Sequence, residues 1–197
     1  MTDVAHTHAG YTHGARGRTI GAGALAGIVA SVVMGMFAMI AAATYQGTGF
    51  FTPLYHIASP LIDGRPMMAS MEAASGGNRF FLDVGPAILG LAIHMMVGAI
   101  WGIVFFVLVR LLGWTSPLTL VLGGVVFGLA VLLVMSWVTL PITAAVVGGG
   151  KPVEDMPQMV GWGTFAVEHG LFGLILGAWA AASAGSAGRH GADAAQP

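Results

Sequence analysis

Residues 85–112 read Gly85-Pro-Ala-Ile-Leu-Gly-Leu-Ala-Ile-His94-Met-Met-Val-Gly98-Ala-Ile-Trp-Gly102-Ile-Val-Phe-Phe-Val-Leu-Val-Arg110-Leu-Leu112. No Asp, Glu, Lys or Arg occurs before Arg110. A helix of this length and polarity is expected to cross the roughly 30 Å of hydrocarbon in a bilayer. The pattern recurs on both sides. Residues 19–62 and 111–150 hold no charged side chain, and 156–188 hold only Glu168. Four spans are read from these gaps, at about 20–45, 85–112, 118–147 and 159–185. The expected fold is an all-α integral membrane protein, a four-transmembrane-helix bundle.

Composition agrees. Of 197 residues, 56% are apolar and 8% charged, against about 25% charged in a soluble domain. Mean hydropathy is +0.85. A disordered chain and a soluble enzyme of ordinary composition are excluded. Net charge is −1, so no basic footprint exists for nucleic acid. There is no Cys, which removes disulfide, zinc-thiolate and iron–sulfur chemistry.

The connections differ in kind. Residues 1–18 read as an unordered, His-containing tail, and 186–197 as a second one. The polar head and long first span do not fit a cleavable signal peptide. Loop 46–83 contains an apolar run, Phe50 to Ile62, too short to span. Pro53 and Pro60 suit a short re-entrant or interfacial helix over about 51–62. Asp83 before Gly85-Pro86 reads as an N-cap region. Loop 113–117 is tight, so spans two and three are antiparallel neighbours. Loop 148–158 opens on three glycines. Arg16, Arg18, Arg110 and Arg189 share one side, against Arg65, Arg79 and Lys151 on the other. By the positive-inside rule both termini are cytoplasmic, and Arg110 snorkels to the inner face. Trp114 and Trp162 fit interfacial belts.

Self-comparison suggests an internal repeat. Span one carries Gly23-x3-Gly27-x6-Met34 and span three carries Gly124-x3-Gly128-x6-Met135. Span two carries His94-x3-Gly98-x3-Gly102 and span four carries His169-x3-Gly173-x3-Gly177. Odd spans match odd and even match even, as two duplicated helical hairpins would. A parallel repeat implies a pseudo-twofold axis along the membrane normal. The glycines themselves read as close helix packing. At helical rise, His94 and His169 lie roughly 15 Å below the outer ends of their spans, and Met34 and Met135 roughly 16–20 Å below theirs.

That layer carries the chemistry. Ionisable residues inside a span are costly and by default mark a site. Imidazole binds transition metals, and thioether selects monovalent copper. His94, His169, Met34 and Met135 therefore suggest a copper site. Met67, Met68 and Met71, with Met156 and Met159, would pass the ion inward. His6, His8 and His13 are peripheral ligand candidates at the other face. A haem b held by His94 and His169 is the second reading, with Gly98 and Gly173 opening space for the macrocycle. Two axial His would imply electron transfer. Each residue also has a structural reading: Met fills core gaps, and a buried His bonds a neighbouring helix. Glu168 has no counterpart in the first hairpin, where Ile93 stands. A carboxyl at that depth needs a proton or a partner. Glu168 could belong to a proton relay, or bond Thr139, Ser136 or a backbone carbonyl.

No nucleophile elbow, zinc-protease or phosphate-loop motif occurs. Catalysis is less expected than binding. The alternatives to metal handling are an accessory subunit of a larger membrane complex or a homo-oligomer, packing through its glycine faces, and a proton or small-solute pathway through Glu168.

Three segments also carry a resemblance: Gly27 with Met34-Gly35-Met36, Phe51-Thr52-Pro53-Leu54, and Gly90 through Met95. In these the chain resembles small four-span membrane proteins of actinobacteria and, more distantly, YagU-like bacterial inner-membrane proteins. The resemblance covers the spans, not the tails. It implies a bacterial cytoplasmic-membrane bundle, a His early in span two at His94, and a Glu/His-bearing fourth span at Glu168-His169. It implies no particular activity.

Overall fold

A computed structural model describes the backbone of residues 4–193 and the side chains of residues 17–185. In chain order the helices are α1 (Val4–Ala41), α2 (Thr52–Ala58), α3 (Arg65–Ser75), α4 (Val84–Leu112), α5 (Pro117–Val134), α6 (Leu140–Val146), α7 (Gly150–Glu154), α8 (Met156–Val160) and α9 (Trp162–Asp193). A π-helical turn, Ala42–Gln46, closes α1, and another, Met135–Thr139, joins α5 to α6. The architecture is all-helical among the described residues. Four helices are long and apolar enough to cross a membrane: Gly17–Gln46, Val84–Leu112, Pro117–Val146 and Trp162–Gly185. Their outward faces carry large apolar side chains such as Ile88, Leu111, Leu122 and Val126. A soluble monomer rarely exposes such a continuous apolar surface.

Local chemistry sets the ends. Gly113 turns left-handed at φ 65° after α4, and its N–H reaches the Arg110 carbonyl. Trp114 N–H bonds Val109 O at 3.1 Å, which closes the helix end as glycine at this position commonly does. Ser116 is extended and Pro117 opens α5, where its missing N–H costs nothing. Asp83 precedes α4 in extended backbone, but its side chain makes no cap bond. Pro141 would clash with the carbonyl four residues back, at Trp137. The π turn over Met135–Thr139 accommodates it.

The apolar stretches Gly17–Gln46 and Trp162–Gly185 agree with the spans expected at about 20–45 and 159–185. The helices run past them into the expected unordered tails, α1 from Val4 and α9 to Asp193, and no proline interrupts either extension. The long loop holds two helices, not one. Loop 148–158 holds two more.

Helix α1 packs along α4 and α5 along α9, with α1 also meeting α9. Both hairpins close on glycine. A Cβ on Gly27 would lie 2.1 Å from Gly98 O, and one on Gly102 would lie 2.2 Å from Gly23 O. Likewise, Cβ atoms on Gly128 and Gly173 would lie 2.1 Å from His169 O and Gly124 O. Absent side chains here let two backbones touch.

Candidate functional site

The bundle is filled at one end and hollow at the other. Toward the α4–α5 turn, Phe105, Leu120, Phe172 and Leu176 form a buried core with Ala26, Ala30 and Ala180. Trp101 meets Phe127 edge-on, with ring centroids 6.0 Å apart. Toward the long loops the four spans line a partly open cavity of about 130 Å³. Its floor includes Trp101 and Phe172. Its cap is built from α2 and α8, through Pro53, Leu54, His56 and Ile57 on one side and Met156 and Val160 on the other.

Met34, His94, Met135, Glu168 and His169 all line this cavity. The backbone fixes both imidazoles. His94 donates Nε2–H to Ser31 O at 2.9 Å. A carbonyl only accepts, so Nδ1 is the nitrogen left for a ligand. His169 donates Nδ1–H to Phe165 O at 2.8 Å, one turn back on its own helix, which leaves Nε2. Gly35 makes room for the first ring: a Cβ there would sit 3.2 Å from His94 Nε2. The Phe165 ring braces His169 edge-on, at 4.5 Å.

Glu168 is 4% exposed. Among the described residues its carboxyl has no hydrogen-bond partner, so the expected bonds to Thr139, Ser136 or a carbonyl do not form. Ser136 Oγ is itself buried without a partner.

The cap adds a third histidine that sequence reading passed over. His56, 5% exposed, donates Nε2–H to Pro152 O at 2.7 Å. Burial holds this ring below the ordinary histidine pKa, against the opposing pull of the Pro152 bond. Beside it, Gln46 Nε2 donates to Val160 O at 2.8 Å. The signal was present in an apolar loop that carries a lone His between two prolines. Nearby Tyr55 is fully buried. Its hydroxyl accepts from Asp83 N–H at 2.8 Å and donates to Phe81 O at 3.2 Å, which ties α2 to the start of α4.

Other candidates fall elsewhere. Gly98 and Gly173 open no slot for a macrocycle, because neighbouring backbone fills the space beside each. A Cβ on Gly98 would in addition collide with the Ser31 hydroxyl. The residues present do not fit a haem at this pair. Met67 is 3% exposed and packs with Leu54 and Tyr55, with Met71 against the same cluster. Met67 is a core residue and Met71 is half-buried against it, and Met68 alone of the three points outward, at 60% exposure. His6, His8 and His13 lie outside the described side chains. Among the described residues, no group of three or more His, Asp or Glu side chains is placed to hold a metal ion. A metal in the cavity would need the thioethers.

No protein-family model matches the chain, and no curated protein or solved structure is similar to it.

Proposed function

We propose that the chain is a multi-pass protein of the bacterial cytoplasmic membrane, both termini inside, whose cavity binds monovalent copper for metal handling. One observation carries this reading. Two imidazoles, each pinned by an N–H bond to a backbone carbonyl, share a single cavity with the thioethers of Met34 and Met135. Ligating histidines commonly donate their other N–H to a carbonyl in this way, which fixes the ring and its free nitrogen. Mixed imidazole and thioether donors favour monovalent copper over zinc or magnesium. Glu168 in the same wall can offset the ion's charge where water cannot.

The matched glycines support two duplicated hairpins as the origin of the layer, since the repeat places one His and one Met in each half. A proton or solute pathway is less well supported, because the aromatic core below Trp101 offers no polar exit. The accessory reading loses its recognition face, because the repeated glycines are consumed inside each hairpin.

The test is metal content. Untagged protein in detergent is incubated with monovalent copper under reductant, desalted and analysed by element. About one copper per chain is expected, with loss in His94→Ala/His169→Ala and weakening in Met34→Leu/Met135→Leu. Equal copper in wild type and the histidine variant would sink the proposal.

A further inference from the structure

The short helix α8, with α7 before it in loop three, lines the loop end of the cavity. Glycines with positive φ bracket them. Gly148, Gly149 and Gly150 stand before at φ 143°, 86° and 54°, and Gly161 stands after at 88°. Only glycine adopts such angles without strain. Between these pivots the segment touches the cavity through Met156 and Val160. Two side chains from other parts of the fold hold it down, His56 on Pro152 O and Gln46 on Val160 O. Both of these donors line the cavity themselves. The segment packs inward through its own buried Val153 and Pro157, whereas its ion pair, Lys151 with Glu154, faces outward. The opposite end of the bundle is shut by the aromatic core.

We infer that α7 and α8 form a lid, hinged at Gly148–Gly150 and Gly161 and latched by Gln46 and His56, and that the cavity loads when it lifts. This rests on the copper reading only for what enters. The lid itself stands on the hinges, the latches and the closed floor. Motion of a segment between two such hinges is an ordinary way to admit a ligand to a buried site.

The chain has no cysteine, so a single introduced thiol reports on access without metal. Val131 is buried on the cavity wall and is not a proposed ligand. Val131→Cys is labelled with a water-soluble methanethiosulfonate, and the rate is followed by mass. Adding Gln46→Leu and His56→Leu removes both latch donors and is expected to raise the rate about tenfold or more, the effect of losing one or two hydrogen bonds of ordinary net strength. Gly161→Ala is a second handle. A methyl there meets nothing within 4 Å, but the angle disfavours it, so the rate should rise again. Tyr45→Phe is the control. It removes a bond to Thr164 outside the lid, 3.0 Å long, and should leave the rate unchanged. Equal rates in parent, latch and hinge variants overturn the lid, as does equal acceleration by Tyr45→Phe. Gated labelling in a protein that holds no copper would keep the lid and remove the metal reading.

Discussion

The two ends of the bundle use the same kinds of helix and do opposite things with them. At the α4–α5 end, side chains fill the space between spans, and Phe105, Leu120 and Leu176 are almost fully buried. At the loop end, the same four spans part around a cavity with imidazoles and a carboxyl in its wall. Packing holds one end together. The other contains buried polar groups that packing alone does not require. A buried carboxyl without a partner and a void between helices both cost stability. The fold confines both costs to the loop end and leaves the α4–α5 end fully packed.

The largest effect should come from the filled end. Phe105→Ala deletes a ring at 1% exposure and should cost about 3–5 kcal/mol, read by denaturant titration in mixed micelles. A cost under about 1 kcal/mol would erase the contrast between the ends. Next come two glycines at different depths. A Cβ on Gly102 would sit 2.2 Å from Gly23 O and 2.7 Å from Gly27 Cα. Neither atom can move without separating two helices, so Gly102→Ala should cost about 1–3 kcal/mol or more. At Gly35 the nearest atom is a ring nitrogen at 3.2 Å, beside open cavity. Gly35→Ala should cost about 1 kcal/mol or less, while displacing His94 and weakening copper retention. The same titration compares the pair directly.

Glu168 sharpens the comparison from the hollow side. Glu168→Leu removes a buried carboxyl that has no partner, and should be neutral or stabilising by about 1 kcal/mol. Most core substitutions destabilise, so the sign of the change is the result. A loss of several kcal/mol would mean that the carboxyl is held in place after all. Copper retention in the same variant reports whether its charge serves the ion.

The four long apolar helices were legible because charge is absent from long stretches, and a run of that length and polarity has few structures open to it other than a helix. The close glycine packing was legible too, since small residues every fourth position mark a helix seam. Which backbone each glycine would meet was not, because spacing carries no register between helices. For that reason Gly98 and Gly173 read as open space when they are contact points. Met67 and Met71 show a similar ambiguity. A thioether looks the same in sequence whether it is ligand or filler, and only the neighbours Leu54 and Tyr55 decide. The lid was hidden for another reason. Helices α7 and α8 have five residues each, too short for periodicity to register, and their latches come from residues about a hundred positions away in the chain.

The smallest effect is a pH dependence at the cap. Burial lowers the His56 pKa in the folded protein, while the unfolded ring titrates near its ordinary value of 6.5. As pH falls through that value, the unfolded chain takes up a proton that the folded ring still refuses. The unfolded state then binds more protons, so stability drops with falling pH. The contribution is fully present above the unfolded value and is lost progressively from there toward the folded one. His56→Gln keeps an N–H donor for Pro152 O and removes the titration. The thermal midpoint of the wild type should therefore fall further between about pH 7.5 and about pH 5.5 than that of His56→Gln. The difference between the two proteins isolates His56 from the other histidines. The same comparison made on the Val131→Cys labelling rate separates loss at the cap from loss in the bundle. If acid loosens only the lid, labelling should quicken with falling pH in the parent and less so in His56→Gln, before the filled end has unfolded in either.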